Sequence, residues 1–211
     1  MKLYYRVERF DKNNGLISRG RKRESKSFVC AFLQVLYTTF ANLSYSIKDI
    51  SNTVQTQSAS VSGPLFLRGN SYPTTYVTAY YQYNETNATI SVAPSEYVGI
   101  VIGTGNTAVT PTDYKLVTRI AHGTTSGKME YSGTMIYPVV VSAPNASFDI
   151  ERIFRNSSGG SIEIKELGID SHTLNGANGA IYCIIRDVLS PTVTVNDGEY
   201  LKVTYTFQIT A

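Results

Sequence analysis

The sequence is poor in the residues that build metal sites, disulfide frameworks and catalytic centres. Its two cysteines, Cys30 and Cys183, are far apart and form no C-x-x-C pair. We therefore predict neither a zinc site nor a disulfide framework, but two buried thiols in a reducing compartment. The two histidines, His122 and His172, cannot alone supply a zinc site. Asp113 and His122 could belong to a catalytic triad with a serine, but the sequence contains no G-x-S-x-G nucleophile elbow. We expect no enzyme, with no catalytic residues, no metal and no cofactor.

Long apolar runs and tryptophan are also missing. The longest apolar stretch, residues 28–33, is far too short to span a bilayer. The first nine residues lack an uninterrupted apolar region, so we expect no secretory signal and no membrane partner. Charged residues make up 17% of the chain and hydrophobic residues 42%, an ordinary apolar fraction that favours a folded core over disorder.

Positive charge is concentrated near the N-terminus. Residues 1–30 hold nine of the 19 Lys and Arg but three of the 16 Asp and Glu, a net charge of +6 that leaves −3 on the remainder. The basic run can be a solvated loop, or it can contact an acidic protein surface or nucleic-acid phosphates. No aromatic residue interleaves it, so a base-stacking platform is not indicated. The candidate contact residues are Arg19, Arg21, Lys22, Arg23 and Lys26.

The composition is that of a β-protein, because Thr, Ser, Val, Ile and Tyr dominate. Turn signals separate short candidate strands, which favours an antiparallel β-sandwich or jelly roll over a parallel fold. In the last strand, Leu201, Val203, Tyr205, Phe207 and Ile209 should face the core. The expected strands are Leu3–Arg9, a return strand from Leu16, Thr75–Tyr83, Ala88–Val92, Tyr97–Gly103, Tyr114–Ile120, Lys128–Val141, Ser147–Arg155, Ser161–Ile169, Ala180–Val188 and Glu199–Thr210.

One amphipathic helix is predicted over residues 28–41, because apolar side chains recur there every three or four residues. We divide the chain into a basic N-terminal arm with hairpin and helix (residues 1–41), an extended polar connection (42–72) and a β-sandwich domain (73–211). A short isolated helix is marginal in water, so this one must pack on its own sandwich or on a partner chain, and the reach of the polar connection favours the partner. The apolar candidates for that contact are Phe28, Phe32, Leu36 and Phe40.

A glycine-rich loop follows the apolar run 98–102. Gly103, Gly105 and Ala108 fit G-x-G-x-x-A, the pattern of a dinucleotide-binding turn. Such a turn needs a following helix whose N–H groups face the phosphates. Here β-branched residues and Pro111 follow, and both oppose a helix. We therefore predict a bend between strands and no nucleotide site.

Two longer stretches share a recognisable order of features: a strand, a Gly-Thr-Gly loop, a Ser-Gly-Gly hairpin, an Arg-Asp-Val-Leu strand end and a final alternating strand. They are GIVIGTGNTAVTPTDYKLVTRIAHG, and FDIERIFRNSSGGSIEIKELGI followed by CIIRDVLSPTVTVNDGEYLKVTYTFQI. This part, roughly residues 95–210, resembles β-sandwich structural proteins of tailed bacteriophages and related viruses. The segment SKSFVCAFLQVLYTTF is similar to a short helix that often precedes such a domain.

The resemblance implies a non-enzymatic virion structural protein of the head, neck or tail accessory or decoration type. Such a protein is made in the host cytoplasm, forms a symmetric homo-oligomer in the virion and docks on other virion structural proteins. The alternative is a carbohydrate- or receptor-binding β-sandwich module on a viral fibre or cell surface. Its sugar platform would need exposed aromatic side chains, for which Tyr80, Tyr81 and Tyr83 are the candidates.

Overall fold

The computed structural model of the protein describes residues 1–25, 27–41, 45–57, 75–76, 96–175 and 178–210. In this part the chain is mainly β, with antiparallel pairing throughout and one helix, so the predicted fold class is confirmed. The elements are β1 (Lys2–Phe10), β2 (Leu16–Arg19), β3 (Arg23–Ser25), α1 (Cys30–Ala41), β4 (Tyr45–Lys48), β5 (Val54–Gln57), β6 (Thr75–Tyr76), β7 (Gly99–Gly103), β8 (Glu130–Ile136), β9 (Val140–Ser142), β10 (Asn145–Arg155), β11 (Ile162–Asn175), β12 (Asn178–Val195) and β13 (Tyr200–Thr210).

The first sheet has seven strands in the order β2-β1-β13-β10-β8. Strand β3 pairs with β1 on the same side as β2, and β9 pairs with β10 on the same side as β8. The first and last strands of the chain are therefore neighbours in the middle of this sheet, paired in register from Lys2 with Gln208 to Phe10 with Tyr200.

The second sheet is built on the long hairpin β11–β12, with β6 and β7 pairing on the other side of β11. Residues 27–29 run antiparallel beside β12, where the N–H of Val29 donates to the carbonyl of Ile184. The inner faces of the two sheets share one hydrophobic core, which gives a β-sandwich arrangement.

The final strand alternates as its sequence predicts. Leu201, Val203 and Tyr205 are fully buried and Phe207 nearly so, whereas the residues between them are partly exposed. Ile209 is the exception: it is 57% exposed, because the strand runs past the end of the core there. The predicted register is confirmed for the part of the strand that covers the core.

The N-terminal residues are not an arm that leaves its own sandwich. Strand β1 buries Leu3, Tyr5 and Val7 in the common core, and α1 packs on β12 and β4. The alternation of β1 matches that of β13, so the two strands complete one sheet rather than reaching a partner. The interpretation of residues 1–41 as a separate arm is therefore wrong.

Two further predictions need correction. Within the supposed connection 42–72, residues 45–57 form the hairpin β4–β5, which buries Ile47 and is held to β12 by the backbone bond from Ile50 to Ile181. Residues 114–120 form a loop instead of a strand, with a single bridge between Gly103 and Arg119. The expected strands at 75–83 and 88–92 lie outside the described residues, except for β6.

Candidate functional site

The glycine loop after β7 surrounds an anion that belongs to the protein itself. Glu166 of β11 is completely buried, and its Oε1 accepts from the N–H groups of Gly105 at 3.0 Å and Thr118 at 2.8 Å. Its Oε2 accepts from the N–H of Val117 at 3.1 Å. A Cβ placed on Gly103 or Gly105 would lie 2.6 or 2.5 Å from the Glu166 carboxylate. The two glycines therefore allow the close approach of this side chain, as expected for a bend.

Arg186 of β12 completes this cluster. Its guanidinium is fully buried and contacts Glu166 at 2.9 Å and Asp113 at 2.7 Å, while it also donates to the carbonyl of Thr107. Burial alone would raise the pKa of Asp113, but hydrogen bonds from Thr110 and Arg186 hold that pKa below its usual value. Asp113 and Glu166 thus both bind the guanidinium of Arg186, which holds the loop against β12.

A second buried arginine joins the two sheets. Arg152 of β10 donates from Nη1 to the carbonyls of Val98 at 2.9 Å and Ile100 at 2.8 Å, and from Nε to that of Ser132. Its guanidinium lies 4.8 Å from the centre of the Tyr131 ring. Burial lowers the pKa of Arg152 to about 10, so the side chain remains charged at neutral pH. The core-facing side of β10 thus carries a cation between apolar side chains.

The cysteines and histidines do not form a reactive centre in the described part of the chain. Cys183 is buried beside Asp170, and burial raises the pKa of both groups, so the thiol is a poor nucleophile. Cys30 is exposed, contrary to the expectation of two buried thiols. The Nδ1 of His122 accepts from the N–H of Tyr131 at 3.0 Å. Among the described residues, no group of three or more His, Cys, Asp or Glu is placed to hold a metal ion.

The basic run does form one feature with Arg9, which we call the arginine cleft. It is a cleft of about 190 Å³ with an apolar floor that includes Tyr5, Val7, Leu189, Pro191 and Val193. The guanidinium of Arg9 lies 2.9 Å from Glu199 and that of Arg19 lies 2.5 Å from Glu8, so two of the charges are neutralised.

Arg21 and Arg23 are the cleft's remaining charges. Arg23 donates to the carbonyl of Ser190, and Arg21 is exposed. Lys22 points elsewhere and lies 4.6 Å from the centre of the Tyr4 ring, outside the cleft. Lys26 is outside the described residues. The sequence thus located three of the four cleft arginines but not Arg9, which precedes the basic run.

The apolar residues proposed for partner contact mostly pack inside the molecule. The ring centres of Phe28 and Phe32 lie 4.3 Å apart with the rings tilted by 36°, and Phe28 and Leu36 pack against the core that buries Phe32. The prediction of partner contact is therefore wrong for Phe32, which is buried, and stays a prediction for the partly exposed Phe28 and Leu36. The side chain of Phe40 is outside the described set. Among the described side chains of α1, the exposed apolar ones are Leu33 and Tyr37.

An uncharged apolar edge lies at the other side of the first sheet. Val139, Val140 and Val141 are 63%, 64% and 77% exposed, and β9 pairs with β10 alone in the described part of the molecule. Beside it, Met1, Val139 and Ile209 help to line an apolar cleft of about 170 Å³. A soluble monomer ordinarily protects such an edge with a charge or a bulge. We call residues 139–142 the valine edge.

Neither the helix nor any known protein indicates what the arginine cleft or the valine edge binds. No helix of the described residues is long and apolar enough to cross a membrane. Comparison of the chain with protein-family models, curated proteins and solved structures finds no match.

Proposed function

We propose that this protein is a non-enzymatic virion structural protein that self-assembles through the valine edge. The observation that carries this proposal is the run of three exposed valines on a strand whose outer side has no partner among the described residues. Exposed backbone donors and acceptors on such an edge pair readily with another strand. Burial of the valines would add to that pairing.

A second copy of the chain is the occupant that fits this edge best. The segment from Tyr137 to Pro144 contains no charged residue, so two copies can approach without repulsion. An antiparallel edge can pair with itself about a twofold axis, which gives an interface of identical halves. The apolar cleft beside Ile209 can receive a side chain from the neighbouring copy.

The buried charges support a scaffold role. Glu166, Arg186 and Arg152 each fix a loop or join two sheets, which makes the sandwich rigid around them. The virion setting rests on the resemblance of residues 95–210 to phage structural proteins. The arginine cleft is then the surface for an acidic neighbouring virion protein, with nucleic-acid phosphate as the alternative partner.

Measurement of the mass in solution tests self-assembly. We expect light scattering to show that the wild-type protein is an oligomer, with a mass of at least twice the 23.2 kDa of one chain. Val140→Lys should shift it to the monomer, because two lysines would meet at the twofold axis. Val54→Lys is the matched control, since Val54 is 63% exposed in β5, and it should leave the mass unchanged. A wild-type monomer at about 100 µM would contradict the proposal.

The virion setting has its own test. Mass spectrometry of purified virus particles from the same source should detect the protein at a fixed ratio to the main shell protein. Particles that lack it would overturn the virion setting while leaving self-association intact.

A further inference from the structure

The solvent face of the first sheet carries a grid of polar side chains set by the strand register. Tyr4 of β1 pairs with Thr206 of β13, which pairs with Asp149 of β10. In the adjacent row, Arg6 pairs with Thr204 in the same way. Side chains in one row are about 5 Å apart, and successive rows on one face are about 7 Å apart. The grid therefore presents several polar groups over the width of a small ring.

A cleft of about 180 Å³ lies on this grid. It is lined by Arg6, Lys22, Ser147, Asp149, Thr204 and Thr206. The Nε of Arg6 is buried and has no hydrogen-bond partner. The side chains of Ser147, Asp149 and Thr206 likewise make no hydrogen bond to the described part of the chain. The Arg6 Nε is the unusual one, since most buried polar atoms in proteins are satisfied, whereas Ser147, Asp149 and Thr206 are partly exposed and open to a ligand or to water.

The next charged residues along the face are already paired with each other. Lys202 lies 2.9 Å from Glu8 and 3.6 Å from Glu151. Neither Asp149 nor Arg6 takes part in these ion pairs, so both can contact a ligand. Lys22 reaches the cleft from the loop between β2 and β3, where it lies over the Tyr4 ring.

The set of free groups has a specific chemistry. The carboxylate of Asp149 can accept from two neighbouring hydroxyls, and the hydroxyls of Ser147 and Thr206 can both donate and accept. The guanidinium of Arg6 and the ammonium of Lys22 are suited to a carboxylate. A ligand with adjacent hydroxyls and one carboxylate satisfies all of these groups together.

We propose that this cleft binds one acidic saccharide unit, with its carboxylate on Arg6 and Lys22 and its ring hydroxyls on Asp149. A nucleic acid fits less well, because Asp149 would repel its phosphates and the described residues that line the cleft include no aromatic side chain for base stacking. This site goes beyond the proposed structural function, since it gives the protein a contact to a glycan surface. It also uses none of the tyrosines at 80, 81 and 83, which lie outside the described residues.

Titration by saturation-transfer NMR with glucuronate tests the site. We expect binding by the wild-type protein, and Arg6→Gln and Asp149→Asn should each weaken it about tenfold, as expected for the loss of one charge-assisted contact. Glucose should bind more weakly than glucuronate, and Asp149→Asn but not Arg6→Gln should weaken glucose further. Arg21→Gln, which removes the same charge from the arginine cleft, is the matched control and should leave both affinities unchanged.

Three outcomes would overturn the whole proposal, and a fourth would overturn its carboxylate contact. They are glucuronate binding that both site variants leave unchanged, no binding of either sugar, and equal competition by acetate, which would mean that the ring hydroxyls contribute nothing. Equal affinity for glucose and glucuronate would refute the role of Arg6 with the carboxylate. Circular dichroism of each variant verifies the fold. The Val140→Lys protein should bind glucuronate like the wild type, so failure of self-association and failure of this site are distinguishable.

Discussion

Replacing Glu166 by glutamine should detach the loop that follows β7 from the second sheet. Glutamine has nearly the same shape, so the change leaves no cavity. With its oxygen in the place of Oε1, it can still accept from Gly105 and Thr118. Its NH2 group then faces the N–H of Val117 and the Nε of Arg186, which are both donors.

The energetic effect follows from these four contacts. One ordinary hydrogen bond is worth about 1 kcal/mol and a charge-assisted one about 1.5–3 kcal/mol. The guanidinium of Arg186 also loses its fully buried counter-ion, and breaking a buried pair typically destabilises by about 3–5 kcal/mol. We therefore expect Glu166→Gln to lower the free energy of unfolding by about 3–5 kcal/mol, a large part of the stability of a typical domain.

Urea denaturation followed by circular dichroism measures this difference. Glu163→Gln is the matched control, since Glu163 lies on the same strand but is exposed and paired only with Lys165. Surface pairs of this kind contribute little, so the control should change stability by less than about 0.5 kcal/mol. Equal effects of the two substitutions would refute the argument that the buried carboxylate holds the loop.

The remaining predictions concern the last strand and the response to acid. Phe207→Ala should lower the free energy of unfolding by about 3–5 kcal/mol and Gln208→Ala by less than about 1 kcal/mol, because the first side chain is buried and the second half-exposed; equal losses would contradict the register. Burial alone would raise the pKa of Glu199, but hydrogen bonds from Asn196 and Arg9 hold that pKa below its usual value. The charged carboxylate therefore stabilises the fold fully above about pH 4.5, and this stabilisation is lost as pH falls through the lowered pKa. Glu199→Gln should therefore be less stable than the wild type at pH 7 by about 1 kcal/mol, and the gap measured by urea denaturation should narrow toward pH 3; a gap independent of pH would contradict this.

Local patterns predicted much of the β-structure. The alternation from Leu201 to Phe207 was sufficient to place β13, because a side-chain period of two is a property of the strand itself. The return strand expected from Leu16 is likewise present as β2, which pairs with β1. These features depend on neighbours within a few residues.

The errors arose where distant segments meet. The pairing of Leu3 with Phe207 joins residues at opposite ends of the chain, and nothing local indicates it. The carboxylate of Glu166 lies 61 residues along the chain from Gly105, so the sequence predicted the bend but not the buried side chain that the bend surrounds. Arg152 occupies an inward position between apolar residues, and that break in the alternation of β10 was the one sequence signal for a buried charge.

The position of β13 between β1 and β10 has a consequence for synthesis on the ribosome. The last strand fills the middle of the first sheet, so β1 and β10 cannot become neighbours of a continuous sheet until residues 200–210 have emerged. Until then, the backbone edge of β1 that pairs with β13 has no partner, and the side chains of Leu3 and Tyr5 remain exposed. A nascent chain of this kind is prone to aggregate. Pairing across such a separation also makes folding slow. The production of this protein should therefore depend on chaperones that hold the chain until residues 200–210 have been synthesised.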